Sequence, residues 1–173
     1  MKGGKFFNEI SNRFMKQPTR FHKILSTGFG VGYSSFAPGT MGALLALFIW
    51  LLFYCLLPYI LCLAATIIFT LLLTYFGVRA ADAVESIWGK DPSRVVVDEM
   101  VGVLIPLFFV PDSANWYWFA AAAFVLFRLF DIFKPLGIRK MEDFPGGIGI
   151  MMDDVLAGVY SALILMVARW LVG

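Results

Sequence analysis

From Ile24 to Val78 the chain carries no Asp, Glu, Lys or Arg. A water-soluble fold cannot cover its surface with so long an uncharged run, whereas about 20 consecutive apolar residues suffice to cross a bilayer as a helix. Inside lipid no water is present to satisfy backbone N–H and C=O groups, so a spanning segment must satisfy them internally. The composition agrees: 60% of residues are hydrophobic and 15% charged, against about 25% charged in soluble domains. The expected fold is an all-α, polytopic membrane helical bundle in one compact unit.

About five transmembrane helices are expected, at 40–57 (stopped near Pro58), 59–78, 95–110, 116–134 and 150–171, the third being short. A charged stretch, 79–94, is expected to link the second and third. Residues 22–39, HKILSTGFGVGYSSFAPG, are apolar but too rich in glycine for a full span. An N-terminal re-entrant or interfacial helix is expected there, buried in protein or lining a polar cavity. Residues 1–21 read as a basic N-terminal arm and 22–173 as the membrane-embedded domain. Lys2, Lys5, Arg13, Lys16 and Arg20 face only Glu9 in that arm, which suits anionic lipid headgroups rather than nucleic acid. Its apolar continuation is too long for a signal peptide.

Basic loops alternate with non-basic ones. The N-terminal arm, 79–94 (Arg79, Lys90, Arg94) and 134–149 (Lys134, Arg139, Lys140) are basic, while 57–59 and 111–115 carry no Lys or Arg. The positive-inside rule therefore places the N-terminus and both basic loops in the cytoplasm. Arg169, at the opposite end of the last span, is the exception and is expected to snorkel.

Five acids interrupt otherwise apolar segments: Asp98 and Glu99 entering the third span, Asp131 ending the fourth, Asp153 and Asp154 in the first turn of the fifth. On the expected topology all five lie at one depth, near the cytoplasmic headgroups. Without a cation they would repel one another, and hard oxygen ligands of this kind suit Mg²⁺, Ca²⁺ or Mn²⁺. Acids near helix N-termini also complement the helix dipole; that alternative serves Asp153, Asp154 and Asp98 but fails for Asp131, at a helix C-terminus. Arg128, Asp131 and Lys134 follow at i, i+3 and i+6, on one face of a helix ended by Pro135. They form either an intrahelical ion pair with a snorkelling lysine or a phosphate-binding pair beside the carboxylates.

Two glycine-rich stretches accompany the acids. GFGVGYSSFAPGTMG is no nucleotide-binding fingerprint, since it follows no strand and lacks the P-loop lysine. Its glycines could serve close helix packing, or Gly39 and Thr40 could present backbone N–H groups and a hydroxyl to a phosphate at a helix start. PGGIGIMMDD leads a flexible loop into the paired aspartates. Cys55 and Cys62 have no metal-site spacing and read as small core residues. His22, the single histidine, leaves no basis for Ser–His–Asp or histidine-based phosphatase chemistry.

Four blocks, GFGVGYSSFAPGTMGA, VVDEMVG, FRLFDIFKPLGI and GGIGIMMDDVLAG, together resemble the phosphatidylglycerophosphatase A family in order and spacing. Members are bacterial membrane enzymes that dephosphorylate phosphatidylglycerophosphate to phosphatidylglycerol. Ala43 stands where the family has serine, Gly137 where it has proline, and a usual proline is missing within Tyr33-Ser34-Ser35. None of these touches an acidic or basic residue. The resemblance implies an all-helical, Mg²⁺-dependent phosphatase of phospholipid biosynthesis in the bacterial inner membrane, acting at the cytoplasmic leaflet. Asp98, Glu99, Asp131, Asp153 and Asp154 are then expected as metal ligands and catalytic groups, with Arg128, Lys134, Gly39 and Thr40 on the phosphate. The alternatives are a carboxylate-lined ion or metal transporter and a CDP-alcohol phosphotransferase-like lipid enzyme, whose aspartate signature is absent. A non-enzymatic scaffold leaves the acids unexplained.

Overall fold

The computed structural model describes residues 18–172, which are helical with no strand among them. The expected basic arm lies almost wholly outside these residues. The elements are α1 (Arg20–Ser26), a 3-10 turn at Val31–Tyr33, α2 (Pro38–Leu56), α3 (Tyr59–Trp88), α4 (Val97–Leu107), α5 (Trp116–Phe133), a 3-10 turn at Ile138–Asp143, and α6 (Gly146–Val172).

Helices α2, α3, α5 and α6 are long and apolar enough to cross a membrane. They form a ring in the order α2, α3, α6, α5, and each also packs against α4 at the centre. The expected third span is thus an 11-residue helix, about 16 Å long at 1.5 Å per residue and too short to span by itself. Nearly every side chain of α4 is buried in protein, so it never has to match the thickness of the lipid. Its flanks complete the crossing. Val96 donates its N–H to Ser26 O (2.8 Å) at one end, and Val110 O accepts from the Tyr59 hydroxyl (3.1 Å) at the other.

One other boundary differs from the sequence reading. Helix α3 continues through the charged stretch to Trp88. Its 30 residues reach about 45 Å, beyond the roughly 30 Å hydrocarbon core. Ala80, Ala81 and Val84 are buried and Asp82 Oδ1 accepts from Gly147 N–H (3.3 Å), so this extension is an amphipathic platform under the start of α6. Residues 22–39 form no span, as the glycine content led one to expect. The seven residues of α1 reach only about 10 Å, and α1 packs against α3. Thr19 and His22 cap α1 reciprocally, His22 N–H to Thr19 Oγ1 at 3.4 Å and Thr19 N–H to His22 Nδ1 at 3.3 Å. His22 thus has a structural part in a capping box.

Candidate active site

The carboxylates enter from three helices, and backbone packing brings two of those helices together. Asp98 and Gly102 are one turn apart on α4, as Asp154 and Gly158 are on α6. Both helices run away from the same end of the bundle. A Cβ on Gly158 would run into Gly102 O, and one on Gly102 would strike the Phe127 ring and Asp154 O. The glycines therefore let the two backbones nearly touch, and one turn above that contact Asp98 and Asp154 face each other. Asp98, Glu99 and Asp154 each offer one carboxylate oxygen within 4.8 Å of the others'. Glu99 in turn lies against the first turn of α2, since a Cβ on Gly39 would collide with Glu99 Oε1.

Asp131 stands in the last turn of α5, paired with Arg128 Nη1 at 2.5 Å. Lys134 caps that helix with left-handed backbone (φ +44°), and this turn sends its side chain inward rather than to water. Its ammonium donates to Asp153 Oδ2 and to Glu142 Oε1, both at 2.6 Å. Burial alone would lower the Lys134 pKa; the hydrogen bonds and charges of Asp153 and Glu142 outweigh it and hold the ammonium above its usual value.

All five acids, Arg128, Lys134 and Gly39 line one cavity of about 330 Å³ at this end of the bundle, with Ala37, Pro38, Asp91, Ser93 and Val95 completing the wall. Thr40 is half-buried in the first turn of α2 but is not part of that wall. Asp98 and Asp153 are each 6% exposed and Asp154 3%. A layer of acids this dry is costly unless a cation balances it. Among the described residues, three buried side-chain polar atoms lack a hydrogen-bond partner: Glu99 Oε2, Asp153 Oδ1 and Arg128 Nε. All three belong to residues lining this cavity. Two are acceptors suited to a cation and one is a donor suited to an anion.

The helix-dipole alternative weakens for the last pair of acids. Helix α6 starts at Gly146, so Asp153 and Asp154 sit about two turns in rather than in the first turn, beyond the reach of the terminal partial charge. The intrahelical Arg128–Asp131 pair is present, and both residues still face the cavity. Sequence reasoning missed Glu142, which shares Lys134, and Asp91, which lies on the wall. It also missed Gly102 and Gly158, although D-x3-G occurs in both acidic helices and the repeated spacing was a usable signal. Ala37 and Asp91 join Lys134 in the left-handed region (φ +41° and +47°), at about 1–2 kcal/mol per L-residue. Backbone strain of this kind gathers at sites of function.

Comparison with known proteins places the sequence in a family. A family model described as phosphatidylglycerophosphatase A matches residues 24–169. A Bacteroides thetaiotaomicron protein, provisionally named a phosphatidylinositol-3-phosphatase, is 60% identical over 159 residues, covering 92% of this chain and all of that protein. The Escherichia coli K12 phosphatidylglycerophosphatase A is 36% identical over 91% of this chain and 88% of its own. That of Haemophilus influenzae is 38% identical over 85% and 88%. No solved structure matches the chain significantly. With the family model spanning nearly its whole length, the chain belongs to the phosphatidylglycerophosphatase A family of membrane lipid phosphatases.

Proposed function

We propose that this protein is a Mg²⁺-dependent phosphatidylglycerophosphatase, converting phosphatidylglycerophosphate to phosphatidylglycerol and phosphate at the cytoplasmic face of a bacterial inner membrane. One observation carries the reading: five carboxylates and two cations line a single cavity in which acceptors and a donor are buried without partners.

The donor set fits a hard divalent cation. Asp98, Glu99 and Asp154 supply oxygen only, converge within 4.8 Å and leave Glu99 Oε2 free, which suits Mg²⁺ better than a softer metal. Asp131 and Asp153 stand beside them as further ligands or as the base for the attacking water. When bound, Mg²⁺ would withdraw charge from the phosphoryl oxygens and make a water molecule more acidic. Arg128 has its Nε free to receive a phosphate oxygen, while its Nη1 stays on Asp131 and holds that carboxylate in place. Lys134 is charged at any physiological pH and places a cation beside Asp153. It lowers the repulsion the phosphate would otherwise meet from the acids. The Gly39 backbone at the start of α2 adds the positive end of a helix dipole. Around this end of the bundle stand Arg20, Lys23, Arg79, Lys90, Arg94, Arg139 and Lys140, against Arg169 at the other; this supports a cytoplasmic site. Lipid tails can stay in the bilayer because the cavity opens where the spans end.

The name of the Bacteroides relative favours a second substrate, phosphatidylinositol 3-phosphate. Both lipids are phosphomonoesters on a glycerolipid, so the same chemistry serves either. Phosphate release from the two lipids in matched mixed micelles, with Mg²⁺ and with EDTA, separates the readings. Mg²⁺-dependent release at least tenfold faster from phosphatidylglycerophosphate supports the proposal. The opposite preference replaces the substrate, and no release from either lipid by folded, Mg²⁺-supplied protein ends the phosphatase reading in favour of ion transport.

A further inference from the structure

The end of the bundle remote from the acids carries two cavities that meet. One, of about 400 Å³, is polar: Asp112, Ser113 and Asn115, from the turn before α5, line it with Arg169 from the last turn of α6. The other, of about 380 Å³, is an apolar groove between α5 and α6. Trp118 and Phe119 stand on one side, the short side chains of Ala122 and Ala168 leave it room, and Leu165, 1% exposed, is its innermost residue. Asn115 and Phe119 belong to both cavities. Helix direction gives their depth. Because α5 starts and α6 ends at this face of the bundle, Asp112, Asn115 and Arg169 are outermost, and Trp118, Ala168, Ala122 and Leu165 lie further in. Trp118 and Trp170 are widely exposed at the outer level, as tryptophans are where lipid meets water. The charges of the polar cavity are not spent on each other. Among the described residues the ion pairs are Arg128–Asp131 and the two made by Lys134. Arg169 reaches only Phe109 O, at 3.4 Å, and Asn115 makes no side-chain cap bond to α5.

We propose that this pair of cavities binds one phospholipid of the leaflet opposite the active site, and that its headgroup is zwitterionic, of the phosphoethanolamine type. Its phosphate lies on Arg169 and Asn115, its ammonium on Asp112, and one acyl chain follows Ala168, Ala122 and Leu165 inward. From the interface toward the membrane centre the walls change from mixed charge to apolar, which is the order of chemistry along a phospholipid seated head outward. Charge selects the headgroup. A purely anionic lipid satisfies Arg169 but is repelled by Asp112, whereas one carrying both a phosphate diester and an ammonium satisfies both. This site is separate from the acid-lined cavity and stands whether or not the phosphatase reading does.

The test titrates the full-length protein in detergent with dioleoyl phosphatidylethanolamine or dioleoyl phosphatidylglycerol. Retained lipid is counted by native mass spectrometry, beside a thermal melt. Wild type should retain the ethanolamine lipid about threefold to fivefold better, the worth of one exposed ion pair. That lipid near saturation should raise the melting midpoint by about 3 °C. Asp112→Asn should abolish the preference while still binding lipid, which isolates this groove from any lipid held at the active site. Arg169→Gln and Ala168→Phe should weaken retention of both lipids, the first by removing the phosphate's cation and the second by filling the groove. Without lipid all three should melt within about 2 °C of wild type. Should Ala168→Phe melt lower, the exposed Asp112→Asn decides alone. Equal retention of the two lipids by wild type, a preference for phosphatidylglycerol, or an unchanged preference in Asp112→Asn overturns the proposal.

Discussion

The two ends of the same bundle are filled by opposite chemistry. At the far end α2 and α5 are wedged by Trp50, Tyr54 and Trp116, and α4 closes with buried Leu104, Leu107 and Val110. At the site end the same helices carry Gly39, Asp98, Glu99, Arg128 and Asp131, and α6 adds Asp154, around a cavity. The aromatic end holds the helices in their places; the charged end uses that rigidity to keep like charges close. Carboxylates that repel one another stay together because the α4–α6 glycine contact and the distant wedge leave them nowhere to go. Stability and function are thus separated along the membrane normal, and substitutions at the two ends should behave differently.

The largest contrast is expected between Asp154→Asn and Trp50→Ala. Asp154→Asn should lower phosphate release by about a hundredfold or more, beyond the 10–100-fold typical of losing a metal ligand's supporting contact. It should leave the melting temperature in EDTA unchanged or raised, because one of several crowded negative charges is removed. Trp50→Ala should do the reverse, costing about 3–5 kcal/mol of stability with near-normal turnover per folded molecule. Both are read by a release assay beside a thermal melt in detergent.

Gly158→Ala tests the link between the ends. The added methyl meets Gly102 O, an overpacking cost of about 1–3 kcal/mol, and it should also part Asp98 from Asp154. A rise in the Mg²⁺ concentration needed for half-maximal activity measures the parting. An unchanged Mg²⁺ requirement would show that the glycine contact does not set the carboxylate spacing.

A subtler effect is expected at Lys134. Its folded pKa lies above the ordinary 10.5, so the stabilisation it provides is complete below that value and is lost only as pH rises through the folded pKa. The melting-temperature difference between wild type and Lys134→Met should therefore be flat from pH 7 to about 10 and shrink above. Glu142→Gln, which removes one of the two ammonium acceptors, should narrow the same difference without abolishing activity. The smallest effect belongs to Arg169→Gln, at the exposed far end near Phe109 O (3.4 Å). It should stay within about 0.5 kcal/mol and leave release unaffected.

Hydropathy made the long helices legible because lipid-facing segments must be apolar along their length. It could not separate α4 from them: Val97–Leu107 is apolar because protein surrounds it, and apolar surroundings look alike in a sequence whether they are tails or side chains. The charged run Arg79–Glu85 reads as a loop by composition, yet its alternation with Ala80, Ala81 and Val84 is the period of a helix lying on a neighbour. At the site, the five acids share a layer because each lies near a span boundary, which spacing alone reveals. The inward turn of Lys134 was hidden, since a left-handed residue before Pro135 is a matter of backbone conformation. Glu142 was hidden too, because a 3-10 turn brings it to Lys134 across a loop whose path the residues do not announce. Thr40 looked suitable by type and position, but one residue of helical rotation takes it off the wall that Gly39 occupies.

The most direct test of the central claim, that this cavity is where the phosphomonoester is cleaved, is phosphate release from phosphatidylglycerophosphate by wild type and Asp154→Asn side by side. Mg²⁺ and EDTA are varied, and both proteins are shown to be folded by their melts. The account predicts Mg²⁺-dependent release by wild type, none with EDTA, and loss in Asp154→Asn at an equal or higher melting temperature. Full activity in a well-folded Asp154→Asn, or release that persists in EDTA, would contradict it.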